Sequence, residues 1–340
     1  MPRVSIIVPC YNEEKTITLL LTAIYQQTCP RAALEVVIAD GLSSDGTRRK
    51  IAEFQAAFPD LTLRLVENPA RSIPAALNSA LAVAQGEFVV RLDAHSVPAP
   101  DYVERCLADL ESGLGEMVGG VWQIRPGGSS WLARSIAAAA AHPLGVGDAL
   151  YRYATRAGWV DTVPFGAFKR SLLERVGGYD ENLLTNEDYE FNTRIRQAGG
   201  RIWLNPAIHS AYFARANASA LARQYWRYGY WKFRMLQRYP NTLRWRQALP
   251  PVFVLSLLFL VILAPFWVLA RMLLGLELGF YFSVLLLGSI SPARRQADPL
   301  LFAGIPLSIA VMHAAWGSGF LVSMVKSVFA LVGTSKRWSN

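Results

Sequence analysis

The sequence of 340 residues has room for one large α/β domain and a smaller second part, because single hydrophobic cores stop growing near roughly 250–300 residues. A net charge of +9 favours anionic partners such as phosphorylated ligands, acidic lipid headgroups or nucleic acid. Three separated cysteines, in no Cys-x-x-Cys or zinc-ligand spacing, fit a reducing compartment, and the short apolar run at residues 4–8 predicts no cleavable secretory signal.

The first ninety residues alternate short β-rich runs with segments of helical periodicity. Strands are predicted at residues 4–8, 35–39, 61–66 and 87–92, and helices at 13–25, 47–57 and 74–84. Alternation at this length predicts right-handed βαβ units and a parallel sheet with helices on both faces.

Polar residues directly follow each of the four predicted strands. They are Tyr11, Asn12 and Glu13 after the first, Asp40 and Gly41 after the second, Asn68 after the third, and Asp93 and His95 after the fourth. Since ligands of such sheets bind beyond the carboxyl ends of the strands, we expect these side chains to form one site.

The second half of this region is less regular. A helix is predicted at 102–111, a strand at 117–124, a helix at 186–197 that ends at Gly199 and Gly200, and a strand at 201–204. The helix at 186–197 opens with Asn186, Glu187 and Asp188, and these two acids either complement the helix dipole or take part in catalysis.

Beyond residue 250 the chain becomes apolar. Residues 251–270 are long enough to cross a bilayer, 278–290 cross it only with 273–277 included, and 300–331 cross it, re-enter or lie at the interface. Arginines on both flanks of the first two segments, at 244, 246, 294 and 295, place those flanks in the cytoplasm by the positive-inside rule.

Basic and aromatic residues are mixed from Arg223 to Arg246, directly before the first apolar segment. Such a mixture also binds single-stranded nucleic acid, but its position beside a candidate span favours a membrane interface. We therefore expect membrane lipids as a partner and no nucleic acid.

Asp93 and His95 are the first candidates for a metal site. Residues two apart in an extended segment project to the same side, so this carboxylate and imidazole can share one divalent ion. On its own, a short acidic tripeptide is more often a turn. Asp45 and Thr47 have the simpler interpretation of helix caps.

Four motifs occur in one order along the chain: VSIIVPCYNEE, DGLSSDGT, RLDAH and NED. Together they resemble inverting family 2 glycosyltransferases of the membrane-attached kind that builds bacterial exopolysaccharides. The runs at 68–78 and 224–232 resemble more narrowly the succinoglycan-type glucosyltransferases. The resemblance implies an α/β, Rossmann-like A-type glycosyltransferase domain followed by transmembrane helices. We predict a catalytic domain at 1–232, a basic and aromatic interfacial segment at 233–250, and a membrane region at 251–335.

The resemblance also implies which residues bind the nucleotide-diphospho-sugar donor. The uracil and ribose would be held by Pro9, Tyr11, Glu13 and Asp40, with Arg71 nearby. A carboxylate at a strand's carboxyl end, such as Asp40, lies where riboses and bases are bound in doubly wound sheets.

By the same resemblance, Asp93 and His95 bridge a divalent cation, Mg²⁺ or Mn²⁺, to the diphosphate. The family's usual metal motif ends in aspartate where this chain has His95, so Asp93 is the firmer prediction. Asp188, with Glu187 beside it, is the predicted catalytic base, because an acceptor hydroxyl must lose its proton as it attacks.

We therefore expect transfer of a hexose, glucose from UDP-glucose, to a polyprenyl-diphosphate-linked oligosaccharide by a multi-pass protein of the cell inner membrane with its catalytic domain in the cytoplasm. Co-assembly with other polysaccharide-synthesis enzymes is a further expectation. Two alternatives stay open: a polyprenyl-phosphate sugar synthase, and a nucleotide-sugar-binding membrane protein without transfer chemistry.

Overall fold

Strands and helices alternate along the first ninety residues as the sequence predicts. The structure is a computed structural model that describes residues 2–335. Its first elements are β1 (Val4–Cys10), α1 (Ile17–Tyr25), β2 (Leu34–Asp40), α2 (Thr47–Ala57), β3 (Thr62–Glu67), α3 (Ile73–Val83) and β4 (Phe88–Arg91). Each predicted strand and helix of this region is confirmed, with bounds that differ by a few residues.

Parallel pairing brings the carboxyl ends of these strands to one edge of the sheet. β1 pairs in parallel with both β2 and β4, and β2 pairs in parallel with β3. The register sets Cys10 beside Asp40 and Ile7 beside Arg91. The loops that follow β1, β2 and β4 therefore leave the sheet at the same edge, which is where the predicted site residues lie.

The sheet continues with antiparallel strands, of which the sequence predicts two, at 117–124 and 201–204, and misses the shorter ones. The next elements are β5 (Val97–Pro98), α4 (Tyr102–Glu111), β6 (Met117–Arg125), α5 (Trp131–Ala140), α6 (Pro143–Val146), β7 (Gly158–Val160), β8 (Ala167–Lys169), α7 (Leu172–Val176), α8 (Glu187–Gln197) and β9 (Ile202–Phe213). The sheet order is β3-β2-β1-β4-β8-β6-β9-β5, with β7 paired to β9. The predicted strands at 117–124 and 201–204 correspond to β6 and to the start of β9, whereas strands of two or three residues are too short to show a period of two.

Helices cover both faces of this sheet, as the alternation predicts. On one face, Ile6 and Val8 of β1 pack with Leu20 of α1 and with residues of α2 and α4. On the other face, Ile7 of the same strand packs with Leu77 of α3 and with residues of α8. Because neighbouring residues of β1 point to opposite faces and all but Pro9 are buried, the strand is apolar except at Ser5, whose hydroxyl donates to Glu35.

The chain divides into two compact units, each built from two segments. The first combines the chain up to Gln123 with Leu150–Tyr212, and the second combines Ile124–Ala149 with the chain from Phe213 onward. The predicted catalytic domain, residues 1–232, is continuous in sequence, whereas the first unit is interrupted by the segment that holds α5 and α6.

The second unit is helical in its C-terminal part. It contains α9 (Ala218–Arg238), α10 (Trp245–Leu263), α11 (Val268–Arg295) and α12 (Leu301–Ser335). Within the described residues, α10, α11 and the part of α12 up to Phe329 are long and apolar enough to cross a membrane. The apolar segment predicted at 251–270 contains a helix break at 264–267, and α12 is continuous through Pro306 and Gly317.

Glycines let α9 and α12 come into backbone contact. A Cβ atom added at Gly229 of α9 would overlap the carbonyl oxygen of Trp316, and one added at Gly319 of α12 would overlap the carbonyl oxygen of Trp226. Small residues at helix contacts allow this close approach. Gly275 of α11, in contrast, has no heavy atom within 4 Å of its added Cβ.

Gly229→Ala should therefore destabilise the second unit, while Gly275→Ala should not. We expect the first change to cost about 1–3 kcal/mol of unfolding free energy through overpacking, and the second to be neutral or stabilising by up to about 1 kcal/mol through helix propensity. Thermal unfolding of the full chain in detergent compares the two variants. Equal stability of both variants would mean that α9 and α12 do not touch at Gly229.

Candidate active site

One buried arginine joins the two acidic motifs of the chain. Arg91, the last residue of β4, is 2% exposed. Its guanidinium donates to Oδ1 of Asp93 at 3.0 Å, to Oε1 of Glu187 at 2.9 Å, and to Oδ1 of Asp188. Asp93 follows β4, and the two other acids open α8. Carboxylates more than ninety positions apart in sequence are thus held on one side chain.

Local structure explains why these groups converge. Arg91 and Asp93 are two residues apart at the end of a strand, so they project to the same side. Asn186 adopts a left-handed conformation with φ 71° immediately before α8. Glu187 and Asp188 then occupy the first helical turn, where the helix dipole favours negative charge.

The charges of this cluster do not balance within the protein. Three carboxylates face one guanidinium, which leaves an excess of negative charge in a largely buried place. Burial raises the pKa of Asp188 to about 7; Arg91 opposes this shift, whereas Glu187 and Asp93 add to it. Although burial lowers the pKa of Arg91, the three carboxylates hold it above its ordinary value. Such a cluster attracts a further cation.

The residues predicted for the nucleotide come together at the same edge of the sheet. Pro9 lies in β1 opposite Ala39. Tyr11 follows β1 with 45% of its surface exposed, and its ring lies against Gly41. The Arg71 guanidinium lies over the Tyr11 ring, 5.6 Å from its centroid. The exposed aromatic ring and the adjacent cation form a surface on which a base can stack.

Asp40 reaches this edge as predicted, but its carboxylate is covered. The residue is fully buried, and it accepts hydrogen bonds from the Ser43 backbone N–H at 3.0 Å, from the Ser43 hydroxyl and from Nε of Arg48. A base or ribose can therefore contact the Asp40 carboxylate only if Ser43 or Arg48 moves away from it. Its nucleotide role stays a prediction.

Glu13 and His95 are paired in the structure. Nδ1 of His95 is 3.0 Å from Oε1 of Glu13, and the two side chains are 41% and 24% exposed. A residue predicted for the nucleotide and a residue predicted for the metal thus touch each other. His95 turns toward Glu13, while Asp93 turns toward Arg91.

Backbone strain concentrates at this site. In the described part of the chain six non-glycine residues have positive φ, and five of them lie in the loops around the site: Asn12, Leu42, Arg71, Phe165 and Asn186. Such conformations cost of order 1–3 kcal/mol each and cluster at functional sites. The segment at Phe165 also touches the cluster, because Arg91 lies 5.9 Å from the centroid of its ring.

The predicted metal ligands fit an ion that binds together with a diphosphate. Among residues 2–335 no group of three or more His, Cys, Asp or Glu side chains is arranged to hold a metal. Mg²⁺ ions at phosphate-transfer sites are typically held by one or two carboxylates, with waters and substrate phosphates completing the shell. Asp93, at 20% exposure beside an excess of negative charge, suits that role, whereas His95 is paired with Glu13 and its role as a second ligand stays a prediction.

Arg91 and Arg48 were missed by the sequence analysis. A signal for Arg91 exists, because it is the lone charge of an apolar, fully buried strand, and buried charges require partners. Arg48 carries no comparable signal, since an arginine in the first turn of an ordinary surface helix is common.

The fold and the site together define a class of protein. A parallel sheet with acids at its strand ends, extended by antiparallel strands and followed by apolar helices, is that of an A-type nucleotide-diphospho-sugar transferase. The chain belongs to glycosyl transferase family 2, since the family model, described as "Glycosyl transferase family 2", matches residues 5–177. The protein is thus a glycosyltransferase.

Two relatives match nearly the whole chain. The succinoglycan biosynthesis protein ExoA of Rhizobium meliloti (strain 1021) is 32% identical over 320 residues, which cover 93% of each chain. A dolichyl N-acetyl-alpha-D-glucosaminyl phosphate 3-beta-D-2,3-diacetamido-2,3-dideoxy-beta-D-glucuronosyltransferase of Methanococcus voltae is 26% identical over 330 residues, covering 95% of this chain and 97% of its own.

A solved structure shares the architecture. The mannosyltransferase PcManGT from Pyrobaculum calidifontis, in complex with GDP-Man and Mn²⁺, superposes with a TM-score of 0.65 at 25% identity. The match covers 92% of this chain and 87% of that one. Together the comparisons support glycosyl transfer in the synthesis of polysaccharides or lipid-linked glycans.

Arg91→Met should destabilise the first unit strongly, because three carboxylates would lose their shared cation in a buried place. We expect a loss of about 3–5 kcal/mol of unfolding free energy. Denaturant unfolding of the full chain in detergent measures the loss, with Arg175→Met on the exposed face of α7 as the control.

A double-mutant cycle separates this charge effect from lost packing. Adding Asp188→Asn to Arg91→Met should recover part of the loss, because one unpaired charge is removed. Strict additivity of the two changes would contradict the ion pair.

Proposed function

We propose that the chain is an inverting hexosyltransferase that moves a sugar, glucose from UDP-glucose, to a polyprenyl-diphosphate-linked oligosaccharide. The observation that carries the proposal is the cluster in which Arg91 holds Asp93 and Asp188 together at the edge that also presents Tyr11. The cluster places Asp93, the carboxylate proposed to face the diphosphate, beside Asp188, the proposed base. A single displacement requires both groups.

The exposed Tyr11 ring and Arg71 are the proposed receptor for the base of the donor. The ring offers a stacking face, and the guanidinium above it favours an anionic nucleotide. Glu13 and Asp40 line the same edge, and the Arg48 side chain bonded to Asp40 would rearrange when a base binds there.

Asp188 is the proposed catalytic base, with Glu187 as a neighbour that keeps its pKa high. Asp188 accepts the proton of the acceptor hydroxyl. At the same time the hydroxyl oxygen attacks the anomeric carbon and the nucleoside diphosphate departs. One displacement inverts the anomeric configuration. Arg91 fixes the orientation of the Asp188 carboxylate.

Asp93 and His95 are the proposed protein ligands of Mg²⁺ or Mn²⁺. A divalent ion bound there with the diphosphate supplies positive charge that favours departure of the nucleotide. The Mn²⁺ present in the PcManGT complex supports a divalent cation for this fold.

The acceptor and the location rest on the second unit. Apolar helices α10 and α11, with Arg244, Arg246, Arg294 and Arg295 at their flanks, support a multi-pass protein of the inner membrane with a cytoplasmic catalytic unit. The Methanococcus voltae relative is named for a dolichyl phosphate-linked sugar, which supports a polyprenyl-linked acceptor here.

A donor panel with a base-deficient variant tests this function. Membranes that contain the full chain should transfer label from UDP-glucose, and not from other nucleotide sugars, to an extractable lipid-linked saccharide. Asp188→Asn should lower kcat by about 10²–10⁴-fold with little change in the affinity for the donor. Asp101→Asn, at the surface start of α4, is the control and should retain full activity.

The mass of the product separates the rival enzyme. A single sugar on a lipid monophosphate would identify a polyprenyl-phosphate sugar synthase instead. Full activity of the Asp188→Asn variant would remove that residue as the base, and absence of transfer from every donor would refute the proposal.

The pH dependence of transfer follows from the raised pKa of Asp188. A base must be unprotonated, so kcat/KM should be constant above about pH 7 and fall about tenfold per unit below it. Glu187→Gln should move the inflection to lower pH, since it removes a neighbouring negative charge. An unmoved inflection in that variant would assign the titration to another group.

A further inference from the structure

Helix α9 has a packed face and a cationic face. The packed face consists of Leu221, Tyr225, Gly229, Lys232 and Met235, which recur at helical spacing and are buried. On the other side lie four arginines, here named the arginine stripe: Arg223, Arg227, Arg234 and Arg238. Their spacings of 4, 11 and 15 residues place them on one line that is about 22 Å long.

The sequence around the stripe contains no acidic residue. Residues 191–276 contain twelve lysines and arginines and neither aspartate nor glutamate. A fifth cation comes from α12, where Nζ of Lys326 lies over the Tyr230 ring, 5.8 Å from its centroid. The helix therefore carries a line of positive charge that complements an anionic surface of similar extent.

Aromatic rings are interleaved with these cations. Trp226, 37% exposed, stacks on Tyr230 with ring centroids 5.2 Å apart, and Arg234 lies 5.6 Å from the Tyr230 ring centroid. Tryptophan and tyrosine favour the headgroup level of a bilayer because one part of the ring is apolar and another is polar.

The stripe is followed at once by the candidate spans. α10 begins at Trp245, seven residues after Arg238, and it carries exposed apolar side chains such as Phe259 at 61% exposure. We propose that the arginine stripe binds the phosphate headgroups of anionic phospholipids in the leaflet that α10 enters. The proposal rests on the membrane attachment proposed above and is independent of sugar transfer.

Nanodiscs of two compositions test the proposal with the full chain. One is pure phosphatidylcholine, and in the other a third of the lipid is replaced by phosphatidylglycerol. A ligand that binds only the folded state raises the unfolding temperature, so we expect the wild-type midpoint to be several degrees higher with phosphatidylglycerol. High salt should abolish the increase, because screening weakens surface charge interactions.

Two triple variants distinguish lipid binding at the stripe from a general effect of net charge. Arg223→Gln with Arg227→Gln and Arg238→Gln should weaken phosphatidylglycerol binding at least about tenfold, since each arginine near an anionic surface contributes about fivefold. The control with equal charge loss, Arg49→Gln with Arg105→Gln and Arg175→Gln on the exposed surface of the first unit, should keep the wild-type shift. Lysine substitutions at positions 223, 227 and 238 should also keep the wild-type shift. This variant tests the proposal even where the glutamine variant folds poorly.

Other anions added to the same assay identify the ligand. Inorganic phosphate or diphosphate, added to the phosphatidylcholine discs at matched ionic strength, should give no stabilisation. An equal shift from these free anions, preferential binding of a single-stranded oligonucleotide, or an undiminished lipid shift in the glutamine variant would each overturn the proposal. A failure of sugar transfer leaves these readouts unchanged, so the two proposals fail separately.

Discussion

The ion-pair cluster on Arg91 is the constraint on which the site depends. A guanidinium that is almost removed from water requires carboxylate partners, and three acids from two distant segments supply them. The partners in turn are drawn out of solvent and compete for one cation, so their affinity for protons and for divalent ions increases together. The contact that joins β4 to α8 therefore also sets the protonation of Asp188, the proposed base.

Opposite ends of the site are organised in different ways. Around Arg91 the groups are buried, charged and held by one guanidinium contact to each carboxylate, as suits the proposed base, which must stay aligned. At Tyr11 and Arg71 the groups are exposed and lie on loops with left-handed residues, as suits a surface that adapts to a nucleotide. The covered Asp40 carboxylate belongs to this adaptable end, since Arg48, which covers it, is partly exposed.

The fold could be predicted from sequence wherever its signals are local. Apolar runs, helical spacing and the polar residues at strand ends suffice for β1 to β4 and for the edge at which Asp40 and Asp93 lie. Short strands such as β8 and the break between α10 and α11 leave no such pattern, because three residues show no period and an apolar run does not mark its own bend. The pairing of Arg91 with Asp188, 97 positions apart, depends on tertiary structure alone.

The division of the chain into interleaved units bears on its folding and its dissection. The polypeptide passes between the units three times, after Gln123, Ala149 and Tyr212. A ribosome thus releases α5 before Gly304 of α12, which lies against Trp131 and Ser135 of α5, has been synthesised. A fragment that ends before the apolar helices still contains α5 without α12, so a self-contained first unit requires removal of residues 124–149 as well as truncation after Tyr212.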